Sequence, residues 1–299
     1  MIRSRIAPTP SGYLHIGNAL NFVITWLWVH KANGTLRLRI DDRSLAMVQP
    51  EYLEDIFSTL KWLGIDWDEG PGNADEQQNI YSEHLQGEKY AGLINKIIAT
   101  GQVFACSCTR KAIQAQSSSS EEHCPCQAKK IPLDQPDTVW RVITPENCII
   151  EVPDAQRGRI PVDLYHEMRD FIIRRRDGIA AYQVVSLSDD MEHKTNLVIR
   201  GMDLLPSSAA QIFLARLIGD TGFHKAEFYH HPLLTDSDGE KLSKSAGSNA
   251  LKSWGPQTTN LEEFYGWVCK QLGWSEQVTS AQEMLVLAKA GRPLYLHAL

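Results

Sequence analysis

The first forty residues read strand, stiff turn, helix, strand, and that order restricts the fold more than any other feature of the chain. "IRSRIA", residues 2–7, reads as a short strand ended by Pro8 and Pro10, with Ser11 and Gly12 in a turn. From Gly17 to Lys31, "GNALNFVITWLWVHK" carries apolar residues at helical spacing and stops before Asn33-Gly34. "TLRLRI", residues 35–40, alternates as a second strand. Pro50 sits at a first-turn position of an amphipathic helix over 50–63, and another helix is expected over 79–100. Strand–helix–strand–helix order predicts an α/β fold: a Rossmann-type parallel sheet with helices on both faces.

The pattern breaks between 101 and 165, where four of the six cysteines, a "SSSSEE" tract and the short runs "VWRVI" and "CIIEV" predict an inserted subdomain. Strand-like segments resume at "DFIIRR", "AAYQVVS" and "NLVIRG", followed by a helix near 208–218. Residues 251–260 read as a linker, and the rest as a tail with two helices. The expected division is therefore 1–100 and 166–250 as two halves of one sheet domain, 101–165 as the insertion and 251–299 as a helical tail.

No apolar run is long enough to span a bilayer, and Met1 leads into "IRSRIAPTPSG" without an apolar leader core. A cytoplasmic, reducing setting without a membrane partner is the expectation. There, six cysteines point to metal ligands or buried thiols rather than disulfides. A net charge of −6 excludes a surface basic all over, so any nucleic-acid footprint must be local.

His15-Ile16-Gly17 follows the strand and turn and opens a helix, where free backbone N–H groups and the helix dipole favour phosphate. An imidazole there can donate to phosphate oxygens, and Gly17 lets a flat ring approach the backbone. Taken alone, the triplet reads as a bland turn or helix entry. The second element is "DGEKLSKSAG", residues 238–247, in which Lys241 and Lys244 are flanked by Gly239 and Gly247. Taken alone, that is a solvated charged loop. Together, His15-Ile16-Gly17 and Lys241-Leu242-Ser243-Lys244-Ser245 resemble the paired signatures of class I aminoacyl-tRNA synthetases.

Four further segments, "RIAPTPSGYLHIGNAL", "LKWLGIDWDEGP", "RDFIIRRRDGIAAYQ" and "VIRGMDLL", are similar to glutamyl-tRNA synthetases. The shortness of the chain and "DFIIRRRDG" point within that family to the truncated paralogues that acylate queuosine in tRNA(Asp) and have no anticodon-binding domain. The resemblance implies an ATP-dependent ligase with the class I catalytic core. Glutamate would be activated to glutamyl-adenylate and passed to queuosine-containing tRNA(Asp). It implies that His15, Gly17, Asp203, Lys241, Ser243 and Lys244 bind ATP, with His15, Lys241 and Lys244 stabilising phosphate charge alongside Mg²⁺. It further implies Arg5, Thr9, Asp41, Tyr182 and Arg200 around glutamate, Arg200 on the side-chain carboxylate and Asp41 on the ammonium. Judged singly, the arginines read as surface ion pairs and Tyr182 as strand core; their motif positions reverse that reading.

The chain departs from the family at Thr9, where Ser is usual, and in "RIDDRSLAM", where Asp41 replaces Glu. Asp41 is shorter by one bond length, about 1.5 Å. Asn18 stands where the fuller signature has a second His. A paralogue with altered amino-acid specificity, or one that only binds nucleotide or tRNA, is the alternative. A conventional glutamyl-tRNA synthetase and a small-molecule adenylyltransferase fit less of the chain.

"CSC" at 106–108 and "HCPC" at 123–126 form the remaining constellation. Two Cys-x-Cys pairs across a polar loop suit tetrahedral Zn²⁺. The expected structural ligands are Cys106, Cys108, Cys124 and Cys126, with His123 as substitute and a set of reduced thiols as the other reading. Cys148 and Cys269 are isolated, and a monomer is expected.

Overall fold

The computed structural model describes residues 1–43, 48–109, 124–233 and 260–296. The chain runs β1 (Arg3–Ile6), α1 (Ile16–Lys31), β2 (Thr35–Leu38), α2 (Pro50–Trp62), α3 (Gly87–Ile98), β3 (Val103–Cys106), β4 (Val139–Val142), β5 (Ile149–Asp154) and β6 (Gly158–Asp163). It continues through α4 (Leu164–Met168), β7 (Ile172–Arg174), α5 (Tyr182–Glu192), β8 (Leu197–Gly201), α6 (Leu205–Leu217), β9 (Glu227–His231), α7 (Leu261–Gln271) and α8 (Ala281–Lys289). These elements form two compact units. The first takes Met1–Leu85, Thr195–Asp203 and Glu227–Leu299; the second takes Gln86–Lys194 and Leu204–Ala226.

In the first unit β1 and β2 pair in parallel, Arg3 opposite Thr35, with α1 as the crossover. β8 and β9 also pair in parallel, Leu197 opposite Glu227. The entry to β8 is tied to the start of β1: Arg3 N–H donates to Asn196 Oδ1 at 2.8 Å, and Asn196 N–H donates to the Arg3 carbonyl at 3.0 Å. β8 therefore runs beside β1 from the same end. Trp26 anchors α1 from beneath; it is wholly buried, and its indole N–H donates to Asp66 at 2.6 Å. The segment after α2 locks β2, because Leu38 N–H donates to the Glu69 carbonyl at 2.9 Å. Gly70 has φ +110°, and a Cβ there would stand 2.1 Å from the Leu38 carbonyl oxygen. Only glycine fits that approach.

Residues 260–296 pack into this same unit: α8 lies on α1, and Leu296 N–H donates to the Tyr229 hydroxyl at 2.6 Å. The Tyr265 hydroxyl donates to the Leu63 carbonyl. The two expected terminal helices are α7 and α8. The expected linker lies, apart from Asn260, outside the described residues. Among the described residues no helix is long and apolar enough to cross a membrane.

In the second unit, β3, β4 and β7 form an antiparallel sheet, and β5 and β6 an antiparallel hairpin. Two expectations are corrected here. "AAYQVVS" is not a strand but the start of α5. Gln183 through Asp190 are all buried, and a short buried apolar run cannot be assigned to helix or strand by periodicity alone. Its acidic end is neutralised inside the unit, with Lys89 Nζ 2.8 Å from Asp189 and the Tyr90 hydroxyl donating to it at 3.2 Å.

The helix expected over 79–100 is broken. Gln77–Tyr81 form a wide π turn, Ser82 is non-helical, and α3 begins only at Gly87. The cause is tertiary and lies in the first unit. Gln77 Nε2 donates to Asp42 Oδ2 at 2.9 Å, and Glu83 N–H donates to Asp42 Oδ1 at 2.8 Å. Drawing both residues inward to one carboxylate interrupts regular winding.

Candidate active site

The first unit sets its chemistry at the carboxyl ends of its parallel strands. β2 lies on one side of β1 and β8 on the other, so the connectivity changes direction beside β1. In open α/β sheets such a switch point is where ligands bind. Arg5 and Arg200 are each the penultimate residue of their strands, and both are buried. The Arg200 guanidinium lies 5.3 Å from the Phe228 ring centre, and that ring stacks on His230 at 5.7 Å. A guanidinium held over an aromatic face presents its planar edge for bidentate recognition of an anion.

His15 is the N-cap of α1, at the same carboxyl end, and Gly17 lies in the first helical turn. α2 pins the intervening turn: Leu14 N–H donates to Asp55 Oδ2 at 3.0 Å, and Tyr13 packs edge-on against Tyr52 at 5.0 Å. Asn18 has a local task, since its Oδ1 accepts from His15 N–H at 3.1 Å and closes the helix start. Thr9 is exposed, and its carbonyl accepts from Ser11 N–H at 2.9 Å. Asp203 is exposed in the single turn that follows β8.

Asp41 is buried and paired: Arg39 Nε lies 2.8 Å from Asp41 Oδ1, with both side chains over nine-tenths buried. Asp42 is held by Gln77 and Glu83, and Glu83 in turn accepts from Arg43 N–H at 2.8 Å. This inward network around Asp42 was not expected. Its only sequence signal is a polar Gln77 at a position that a regular amphipathic helix would leave ambiguous.

Tyr182 belongs to the second unit, half-buried as the first residue of α5. Lys241, Ser243 and Lys244 lie outside the described residues, as does His123.

The second unit brings its four predicted cysteines together. β3 ends on buried Cys106 and delivers Cys108 just beyond it; Cys124 and Cys126 flank Pro125 at the mouth of a one-turn helix. The four Sγ atoms lie within 4.8 Å of one another, with 3.5 Å for Cys106–Cys124, 3.9 Å for Cys108–Cys124 and 3.5 Å for Cys108–Cys126. Tetrahedral Zn–S bonds near 2.3 Å place sulfurs about 3.8 Å apart, so the cluster fits zinc. The Cys124 thiol donates to Cys106 and holds it down to about 4, while Cys124 itself is pushed up by giving that bond. Burial pushes Cys108 up to about 11. Crowded thiols without a cation tolerate little negative charge; a divalent ion reverses that. All six cysteines are free thiols, and Cys148 and Cys269 stand apart from the cluster.

Residues 1–290 match the family described as tRNA synthetases class I (E and Q), catalytic domain. A glutamate–tRNA ligase of Halorhodospira halophila is 32% identical over 300 residues, covering 96% of this chain and 61% of that protein. A glutamyl-Q tRNA(Asp) synthetase of Nitratidesulfovibrio vulgaris is 32% identical over 283 residues, covering 87% of this chain and 84% of that protein. The chain spans about three fifths of the length of the glutamate–tRNA ligases it matches. Among solved structures, a glutamate tRNA ligase of Elizabethkingia meningosepticum in complex with its amino acid has a similar fold, with a TM-score of 0.74 at 24% identity over 95% of this chain and 64% of that one. With the family's match running through residues 1–290, the chain belongs to the class I glutamyl- and glutaminyl-tRNA synthetase catalytic-domain family.

Proposed function

We propose that this protein activates glutamate with ATP and transfers it to queuosine in the anticodon loop of tRNA(Asp). The observation that carries the amino-acid half is the pair of buried arginines, Arg5 and Arg200, at the carboxyl ends of adjacent strands. Arg200 receives the side-chain carboxylate in bidentate geometry and Arg5 assists. The Arg39 contact fixes the Asp41 carboxylate that receives the ammonium, and Tyr182 and Thr9 are assigned to the substrate by the same resemblance.

The α-carboxylate of glutamate attacks the α-phosphorus of ATP; the bond to the bridging oxygen breaks, and pyrophosphate leaves with that electron pair. The nucleophile is already an anion at neutral pH, so no general base is needed. Positioning and charge stabilisation supply the rate. His15 and the Lys241/Lys244 loop meet the phosphate charge, which Mg²⁺ would offset further, and Gly17, Asp203 and Ser243 complete the nucleotide contacts.

The acceptor half rests on "DFIIRRRDG" and on the similarity to a glutamyl-Q tRNA(Asp) synthetase. The queuosine cyclopentene-diol presents the same ester-forming hydroxyls as a ribose diol, and anticodon-loop bases are open to protein. The four thiolates hold a structural zinc. The division into 1–100 and 166–250 as catalytic halves, 101–165 as insertion and 251–299 as tail belongs to the same proposal. A monomer in a cytoplasmic setting completes it.

Radiolabelled glutamate should become attached to queuosine-containing tRNA(Asp) and not to the same tRNA lacking queuosine. Label released with the 3′-terminal adenosine of tRNA(Glu) would overturn the acceptor assignment. One observation favours a second reading, altered amino-acid specificity: the shortened Asp41 already engages Arg39 at 2.8 Å.

A further inference from the structure

β4 is the middle strand of the β3–β4–β7 sheet, and its register sets Arg141 opposite Phe104 on one side and Ile172 on the other. Residues directly opposite share a face of the sheet, and Cys106, two residues beyond Phe104, lies diagonally from Arg141 on that face. The rest of the cluster there is apolar: Phe104, Val139 and the four cysteines, with Ile131, Ile143 and Ile172 packed against them. A guanidinium in such surroundings is costly unless it is paired.

No carboxylate among the described residues pairs with Arg141. Its Nη1 donates to the Asp170 carbonyl at 2.5 Å, and its Nε is shut off from solvent without a hydrogen-bond partner. What remains within its reach is sulfur. After the larger effect of Cys124, a hydrogen bond and the charge of Arg141 help hold the Cys106 thiol down against burial.

A second guanidinium reaches the cysteines from the turn after β7. Arg176 Nη2 donates to the Ser107 and Cys108 carbonyls, both at 3.4 Å. Its two neighbours are engaged elsewhere: Arg174 stacks on the Trp140 ring at 4.3 Å, and Arg175 pairs with Asp177 at 2.6 Å. The three arginines of "RRRDG" therefore divide their tasks, and Arg176 turns to the knuckle.

Four thiolates around one divalent zinc leave two net negative charges. We propose that Arg141 and Arg176 are the outer sphere of this metal site, their two guanidinium charges offsetting those two negative charges and Arg176 also holding the Cys106–Cys108 turn. This rests on the structural zinc of the proposed function. Both are positioning residues: neither is a metal ligand, and each acts through the cysteines. Partners of this kind orient the ligands and tighten metal binding.

The test is the zinc affinity of the full chain, loaded with zinc and competed against a chelator of known affinity. Arg141→Gln removes the charge but keeps a donor for the Asp170 carbonyl, and it should hold zinc about tenfold or more weakly than wild type. Arg141→Lys restores the charge and should recover most of that loss. A side chain that only fills space would be missed equally in both variants, so equal weakening in the two overturns the proposal. Wild-type zinc affinity in a folded Arg141→Gln overturns it as well. Should Arg141→Gln fail to fold, Arg176→Gln carries the test at its exposed position: zinc held about threefold more weakly supports the proposal, and wild-type affinity overturns it. Folded wild type that takes up no zinc sinks this inference and the structural zinc together. Zinc bound equally well by wild type and variants removes this inference alone and leaves the metal site standing.

Discussion

Burying a guanidinium costs several kcal/mol unless its hydrogen-bonding edge is used, and Arg200 is buried where β8 meets the switch point. Arg200→Ala should chiefly raise the KM for glutamate, by about 10- to 100-fold, with a smaller effect on kcat. Lys244→Ala should do the reverse, slowing adenylate formation at saturating substrate, because the proposed function sets that charge against the transition state rather than ground-state glutamate. Steady-state pyrophosphate exchange with varied glutamate separates the two. At this scale the sequence was informative where residue type and motif coincide: Arg5, His15 and Arg200 all stand on one strand-end rim. It was silent where a side chain's role comes from contacts distant in the chain. Gln77 reaches back 35 residues to Asp42, and nothing local marks it.

At the scale of elements, the cysteine knuckle and the β1–β2 pair make separate predictions. Protein purified without chelator should carry about one zinc per chain, because a single tetrahedral site uses all four thiolates. Cys106→Ser or chelation should lower the melting temperature more than it changes adenylation; folded, metal-free wild type of unchanged stability would contradict this. In the other unit, Glu69 joins β1 and β2, with Arg3 at 2.6 Å and Arg37 at 3.2 Å. Burial alone would raise its pKa, but the hydrogen bonds and charges of Arg3 and then Arg37 win and hold it below the usual value. A lowered carboxylate adds stability that is present above its unfolded pKa and lost as pH falls through the folded one. Denaturant melts should therefore show wild type losing stability below about pH 4.3, and Glu69→Gln losing less over the same range. Equal slopes would show that the pair is inert. The β1–α1–β2 unit was legible because alternation, proline and helical spacing are local signals. α5 was not, because a helix buried at Gln183 through Asp190 has no polar face to set the period.

At the scale of the whole molecule, residues 260–296 belong with the N-terminal strands rather than standing apart. The contacts of Tyr265 with Leu63 and of Leu296 with Tyr229 close the chain over the end of α2 and β9. Sequence reading found the two helices but could not find their partners, since docking across 202 residues leaves no periodic trace. The central claim is that this family member activates glutamate despite its shortened Asp41. Amino-acid-dependent ATP–pyrophosphate exchange, measured in parallel with each of the twenty amino acids, tests it most directly. The account predicts exchange with glutamate well above every other amino acid; exchange with another amino acid and none with glutamate, or none with any, would contradict it.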